Sequence, residues 1–416
     1  MATDWNTCNP QTAPISLGTH SLSLSVAGPS RASGTPAIIV IQGIASSTAE
    51  WTPCIRSLSA FARVFSYDRS GFGKSDVSPN DPSAENIALE LHELLKVAGV
   101  EGPFVLVAHS YGGIIAREFI PLRPQGDVVG VVFVDANTEE TPGTYPNPAV
   151  QALGKGLNGL EVTIGDSHVL GTGEWDVLMR EEDSERGVVA GRRELEFYHA
   201  SGRSLAAKKQ VELDPPLLGD APIVVLHANY ALDLQKIYDA GVAAGNGSEE
   251  ERETMREFIA EANALEERMQ RKTLGLSRRS RWEFVEGSGH YVHMLNRLLK
   301  YSNQLTQSKA NIPNAAPPKI GAPVTIALAA PADDEEDEEL WAAALPELVL
   351  DAAPPAVMLI LVVIPLLLIP SLLSVVSASL LLAVAEAAPV AAPDTAVKGV
   401  AVPAEQVVTP AMLLKD

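Results

Sequence analysis

The sequence predicts an α/β domain built on a mostly parallel sheet, and three observations carry that expectation. Short, uninterrupted apolar runs recur between residues 37 and 285 and alternate with segments of helical periodicity. A strand pattern, a sharp turn bearing a serine and a helix pattern follow one another at 104–120. Near residue 310 an ordinary mixture of residues gives way to Ala, Pro, Val and Leu, which confines the folded domain to about 12–305.

The elements follow in order. Residues 15–26 (ISLGTHSLSLSV) alternate polar and apolar and read as a strand. Residues 37–41 (AIIVI) form a buried-type strand that runs into Gln42-Gly43, and 62–67 (ARVFSY) ends at Asp68. Over 83–98, Ile87, Leu91, Leu94, Leu95 and Ala98 share one face behind a Ser83 cap, so this is an amphipathic helix stopped by Gly99. Strands at 104–108, 128–134, 222–227 and 282–285 complete the sheet, with a helix opening at 114–120. Ligands in such sheets gather at the carboxyl ends of the strands, so the polar residues there are the functional candidates.

Composition narrows the classes. The chain has 416 residues, 46% hydrophobic, long enough for one large or two ordinary domains. Lys and Arg number 31 against 52 Asp and Glu, a net charge of −21 that repels phosphate backbones and argues against a nucleic-acid partner. Cys8 and Cys54 cannot build a disulfide framework, and no Cys/His spacing suggests zinc, so no metal or cofactor is expected. The first 30 residues lack a basic start followed by an apolar run, so the expectation is a protein facing the cytosol rather than a secreted one.

Directly after the strand at 104–108 stands His109-Ser110-Tyr111-Gly112-Gly113, then a helix. Small residues two before and two after the serine permit a turn that lifts its hydroxyl above the sheet, which makes Ser110 the candidate nucleophile. A serine hydroxyl needs a base, and the base needs an orienting acid. After the last strand, Gly287-Ser288-Gly289-His290 offers His290 in a glycine-flanked loop, while His293 reads as the start of a further helix. His109 points away in such a turn and reads as structural. Two carboxylates compete for the acid: Asp135, at the end of the strand at 128–134, is favoured over Asp233, which could reach back from a loop. At the end of the first buried strand, the N–H groups of Ile44 and Tyr111 would together hold an oxyanion.

Taken together, IQG at 41–43, YDRSGFGKSD at 67–76, VAHSYGG at 107–113, VVFVDA at 131–136 and GSGHYVH at 287–293 resemble the α/β-hydrolase superfamily, in its order and across nearly three quarters of the chain. The resemblance implies a cofactor-free serine hydrolase with a helical lid inserted after the sixth strand, here about 136–220. Trp175, Phe197 and Tyr198 would then either wall an acyl pocket or pack the lid's own core. The segment DRSGFGKS is similar to the turn that supports the site in that superfamily. Gln42 stands where many members have His, and no carboxylate follows the strand at 222–227, which is where the acid often sits. A charge-rich amphipathic helix at 245–272 reads as a solvated face.

Carboxylic esters or thioesters of a small or lipophilic acyl substrate are the expected targets, with C–C hydrolase and acyltransferase chemistry open. A serine nucleophile argues against epoxide hydrolase or dehalogenase chemistry. A non-catalytic binding protein on the same scaffold is the competing class. An NTPase is disfavoured because Asp68 stands where a phosphate loop ending in Gly73-Lys74-Ser75 needs glycine. Beyond the domain, an Ala/Pro-rich acidic linker spans 306–351, a charge-free apolar stretch at 352–386 exceeds the ~20 residues that cross a bilayer, and 387–416 reads as a disordered tail. That stretch is a candidate membrane anchor, or else a tail without a selected fold.

Overall fold

The computed structural model describes residues 3–145 and 147–295. The domain boundary at 305, the acidic linker, the apolar stretch at 352–386 and the tail lie outside the described residues. Among the described residues no helix is long and apolar enough to cross a membrane.

Eight strands form one sheet: β1 (Gln11–Ser16), β2 (Ser21–Ala27), β3 (Ala37–Ile41), β4 (Val64–Asp68), β5 (Phe104–His109), β6 (Val128–Val134), β7 (Ile223–Ala228) and β8 (Ser280–Val285). Their spatial order is β1-β2-β4-β3-β5-β6-β7-β8. β2 runs antiparallel to β1 and β4, and every pairing from β4 onward is parallel. The alternation over 15–26 predicts a single strand, and here the structure differs. Gly18 takes φ +93° and Leu17 N–H bonds to His20 C=O at 2.8 Å, so the chain turns back as a hairpin.

The strand runs are continuously apolar because both faces are covered. Ile39, Ile41, Leu106 and Phe133 face one side, against Leu91 and Leu94 of α2 (Ala84–Val97) and Ile114 and Ile115 of α3 (Gly112–Phe119). The alternate residues Ile38, Val40, Val105 and Val132 face the other, against Cys54 and Leu58 of α1 (Thr52–Leu58). Ser83 Oγ accepts the Asn86 N–H at 3.3 Å to start α2, and Gly99 at φ +67° ends it.

Two insertions sit over the carboxyl edge of the sheet. Between β6 and β7 come α4 (Thr141–Thr144), α5 (Pro148–Gly154), α6 (Gly159–Ile164), α7 (Thr172–Glu182) and α8 (Glu185–Ala207). Between β7 and β8 come α9 (Tyr230–Ala243) and α10 (Glu249–Lys272). Despite its charge, α10 is not a solvated face. It buries Met255, Ala262, Glu266, Met269 and Gln270, and shares a core with Leu153 of α5 and Leu234 and Ile237 of α9. The two insertions therefore pack together. After β8 the chain forms a single short turn of helix at Val292–Met294 that contains His293.

Candidate active site

The β5–α3 turn holds Ser110 at φ +52°, a conformation rare for a non-glycine residue and typical of a serine lifted clear of a sheet. The neighbouring positions must be small. A Cβ on Gly112 would lie 2.3 Å from Ile41 C=O, and one on Gly113 would lie 2.7 Å from Ala136 Cβ. Ser110 C=O in turn accepts the N–H of Gly113 at 2.9 Å and of Asn137 at 2.8 Å. The turn is thus tied to the end of β6, where Asp135 lies.

Asp135 meets His290. His290 Nδ1 lies 2.6 Å from Asp135 Oδ2, while Asp135 Oδ1 accepts Ala228 N–H at 3.0 Å and Gln270 Nε2–H at 2.8 Å. The other candidate carboxylate serves a different part of the same residue, because Asp233 Oδ2 accepts the main-chain N–H of His290 at 2.7 Å. His109 Nε2 lies 3.0 Å from His290 C=O and so braces that loop from the far side. The imidazole and both ends of its peptide are each held by a separate side chain.

These contacts set the charges. Burial would raise the Asp135 carboxyl, but the ring of His227 at 3.7 Å, the bond and charge of His290 and the Gln270 amide outweigh it and hold it well below the carboxylate range. Burial opposes a charge on His290, yet the Asp135 bond and the charges of Asp135, Asp233 and Glu266 raise its pKa above the ordinary value. Asp233, buried, is pushed up to about 6. His109, buried beside His293 and His290, is held well below the usual imidazole range and stays neutral.

Ser110, His290, Ile44 and Asp135 line one cavity of about 80 Å³, with Tyr145, Tyr198, Tyr230 and Tyr291 among its walls. No hydrogen bond from the Ser110 hydroxyl is formed among the described residues, as is common before substrate tightens the geometry. The N–H groups of Ile44 and Tyr111 likewise have no backbone partner among them. A buried ion pair holds the loop that carries Ile44. Arg69 donates to Gly43 C=O at 2.6 Å and to both oxygens of Glu194 at 2.6 and 2.9 Å, and Glu194 Oε2 accepts Ala45 N–H at 2.8 Å. Gln42 turns its amide away from the site, to Tyr67 C=O at 2.7 Å.

A model of the alpha/beta hydrolase family matches residues 38–298. The chain belongs to that family. It is 32% identical over 285 residues to an AB hydrolase superfamily protein of Gibberella zeae, a match covering 65% of this chain and 86% of that one. It is 31% identical over 294 residues to a Hormonema carpetanum sequence named probable transporter efuK, covering 69% of this chain but only 41% of that longer one. Among solved structures it is similar to a bromoperoxidase from Bacillus anthracis at 16% identity and a TM-score of 0.44, covering 73% and 98% of the two chains. The fold and the standing as an α/β-hydrolase enzyme follow from the family.

Within this family member, the motif around Asp68 is a closed turn. Asp68 Oδ2 accepts Lys74 N–H at 3.1 Å, and a Cβ on Gly73 would strike the Asp68 carboxylate. Tyr198 lines the cavity, whereas Trp175 stacks on His168 at 4.1 Å beside Leu178, and Phe197 lies under the Arg193 guanidinium. Among the described residues, Glu50, His109 and His293 are the group whose donor atoms come within 4.8 Å of one another, as one ion would require. Sequence reasoning passed over Gln270 and Glu194, because each is a polar residue at an inward position of a helix otherwise rich in charge.

Proposed function

We propose that the protein is a serine hydrolase that cleaves a carboxylic ester or thioester of a small substrate through an acyl-enzyme. Ser110 is the nucleophile, His290 the general base and Asp135 the orienting acid. The observation that carries this reading is the 2.6 Å contact between His290 Nδ1 and Asp135 Oδ2, on a histidine that shares its cavity with a serine raised on a strand–helix turn. With Nδ1 donating to Asp135, Nε2 keeps the lone pair that the Ser110 proton needs.

The steps balance without a cofactor. Ser110 Oγ bonds to the acyl carbon as His290 Nε2 takes its proton, and the carbonyl electron pair moves onto the oxygen. The N–H groups of Ile44 and Tyr111 hold that oxyanion, each worth ~10²–10³ in rate. When the tetrahedral species collapses, the bond to the leaving alcohol or thiol breaks and His290 returns the proton to it. Water, deprotonated by His290, then releases the acid and restores Ser110. A cavity of about 80 Å³ favours small acyl groups over long chains.

Pre-steady-state hydrolysis of p-nitrophenyl acetate tests this. The expected trace is a burst of one nitrophenolate per enzyme, lost in Ser110→Ala. Hydrolysis by Ser110→Ala at the parent's rate would contradict the proposal.

A further inference from the structure

Two buried acids that line the cavity take no part in the triad, and of these Glu50 lies 3.6 Å from the His293 ring. Glu266, on α10, is 7% exposed and lines the cavity together with Ser110 and His290. Among the described residues, no Lys or Arg lines that cavity. The groups facing Glu266 are Asp135, His290, the hydroxyls of Tyr145, Tyr198 and Tyr230, and Gln270, whose Nε2 stands 3.4 Å from Glu266 Oε2. A buried carboxylate in such a place is costly, so the acid form is favoured below about pH 7. Burial first, and then the charge of Asp135, push its pKa up to about 7. In that form it offers one O–H donor and one C=O acceptor to whatever occupies the cavity. The buried hydroxyl of Tyr145 stands beside it and interacts with its carboxyl group.

Resting on the ester-hydrolase reading, we infer that Glu266 is a specificity-determining residue that hydrogen-bonds an oxygen acceptor of the substrate, so that the enzyme selects small esters carrying a second oxygen over their hydrocarbon isosteres. A hydrocarbon in the same place would bury the Glu266 O–H without an acceptor from the substrate. Sites built to pair a polar group discriminate more strongly than sites built on shape.

Two isosteric pairs test it, because methylene and ether oxygen differ little in size. On the acyl side these are p-nitrophenyl butyrate and p-nitrophenyl methoxyacetate, and on the alcohol side butyl acetate and 2-methoxyethyl acetate. An ether activates the carbonyl by itself, so the readout is the change in the kcat/KM ratio between the parent and its variants. Glu266→Leu is expected to lower the ether-to-hydrocarbon ratio about tenfold in at least one pair while still hydrolysing the hydrocarbon ester. Glu266→Gln, which keeps a donor and an acceptor, is expected to retain most of the ratio. The parent's ratio should fall as pH rises through about 7 and the Glu266 proton is lost, and it should stay flat in Glu266→Gln. Equal ratios in parent and Glu266→Leu for both pairs, with esters still cleaved, would overturn this inference alone. No hydrolysis of any ester by folded parent would overturn the ester-hydrolase reading and this inference with it.

Discussion

At the scale of single residues, the two carboxylates near His290 divide the work that sequence left open between them. Asp135 takes the imidazole and Asp233 takes the main-chain N–H. Asp135→Asn presents the wrong partner to Nδ1 and is expected to lower kcat by ~10⁴. Asp233→Asn keeps an oxygen for the peptide N–H and is expected to cost less than about tenfold, ~1.4 kcal/mol. The pH profile has a definite sign. Only neutral His290 can accept the serine proton, and its pKa is raised by Asp135, so kcat/KM should fall on acidification with a midpoint above the ~6.5 of a free imidazole. Removing the Asp135 charge should move that midpoint down. Initial rates from pH 5 to 9 for the parent and both variants decide between these outcomes, and equal losses in the two variants would refute the division of labour. Asp135 was legible because it ends a strand. The task of Asp233 was not, because a helix residue shows its main-chain partner only once β8 and its loop are in place.

At the scale of elements, the loop that carries Ile44 is held by a helix far away in sequence. The side chains of Arg69 and Glu194 are 1% and 2% exposed, and between them they fix Gly43 C=O and Ala45 N–H, the residues on either side of Ile44. Breaking a buried ion pair from one end leaves the other charge unpaired, at ~3–5 kcal/mol. Glu194→Gln should therefore destabilise the fold by about that amount in urea titration and lower kcat more than it raises KM. Unchanged stability would show that Arg69 finds its charge partner elsewhere. The DRSGFGKS motif pointed to support near the site, but its partner on α8 gave no signal, since Glu194 is one of many charged residues along that helix. The same holds for α10, where the buried stripe of Glu266 and Gln270 repeats with helical period yet is polar. Hydrophobic periodicity finds apolar faces and misses faces that are inward for chemistry.

At the scale of the whole molecule, the sheet was legible because both of its faces are buried, which leaves each strand an apolar run between turns. The edge hairpin at 11–27 was not, since its turn falls inside one unbroken alternation. The site was legible where it lies at the carboxyl ends of β3, β5, β6 and β8. It was hidden where the two insertions close over those ends, because that contact joins α10 to Asp135 across 135 positions of chain. All of these elements converge on the claim that Ser110 is an activated nucleophile. The most direct measurement is intact-mass and peptide-level labelling of the full chain with a fluorophosphonate. The expected result is a single adduct that maps to Ser110, is absent in Ser110→Ala and forms far more slowly in His290→Ala. An adduct on another residue, or labelling of Ser110 at the same rate without His290, would contradict it.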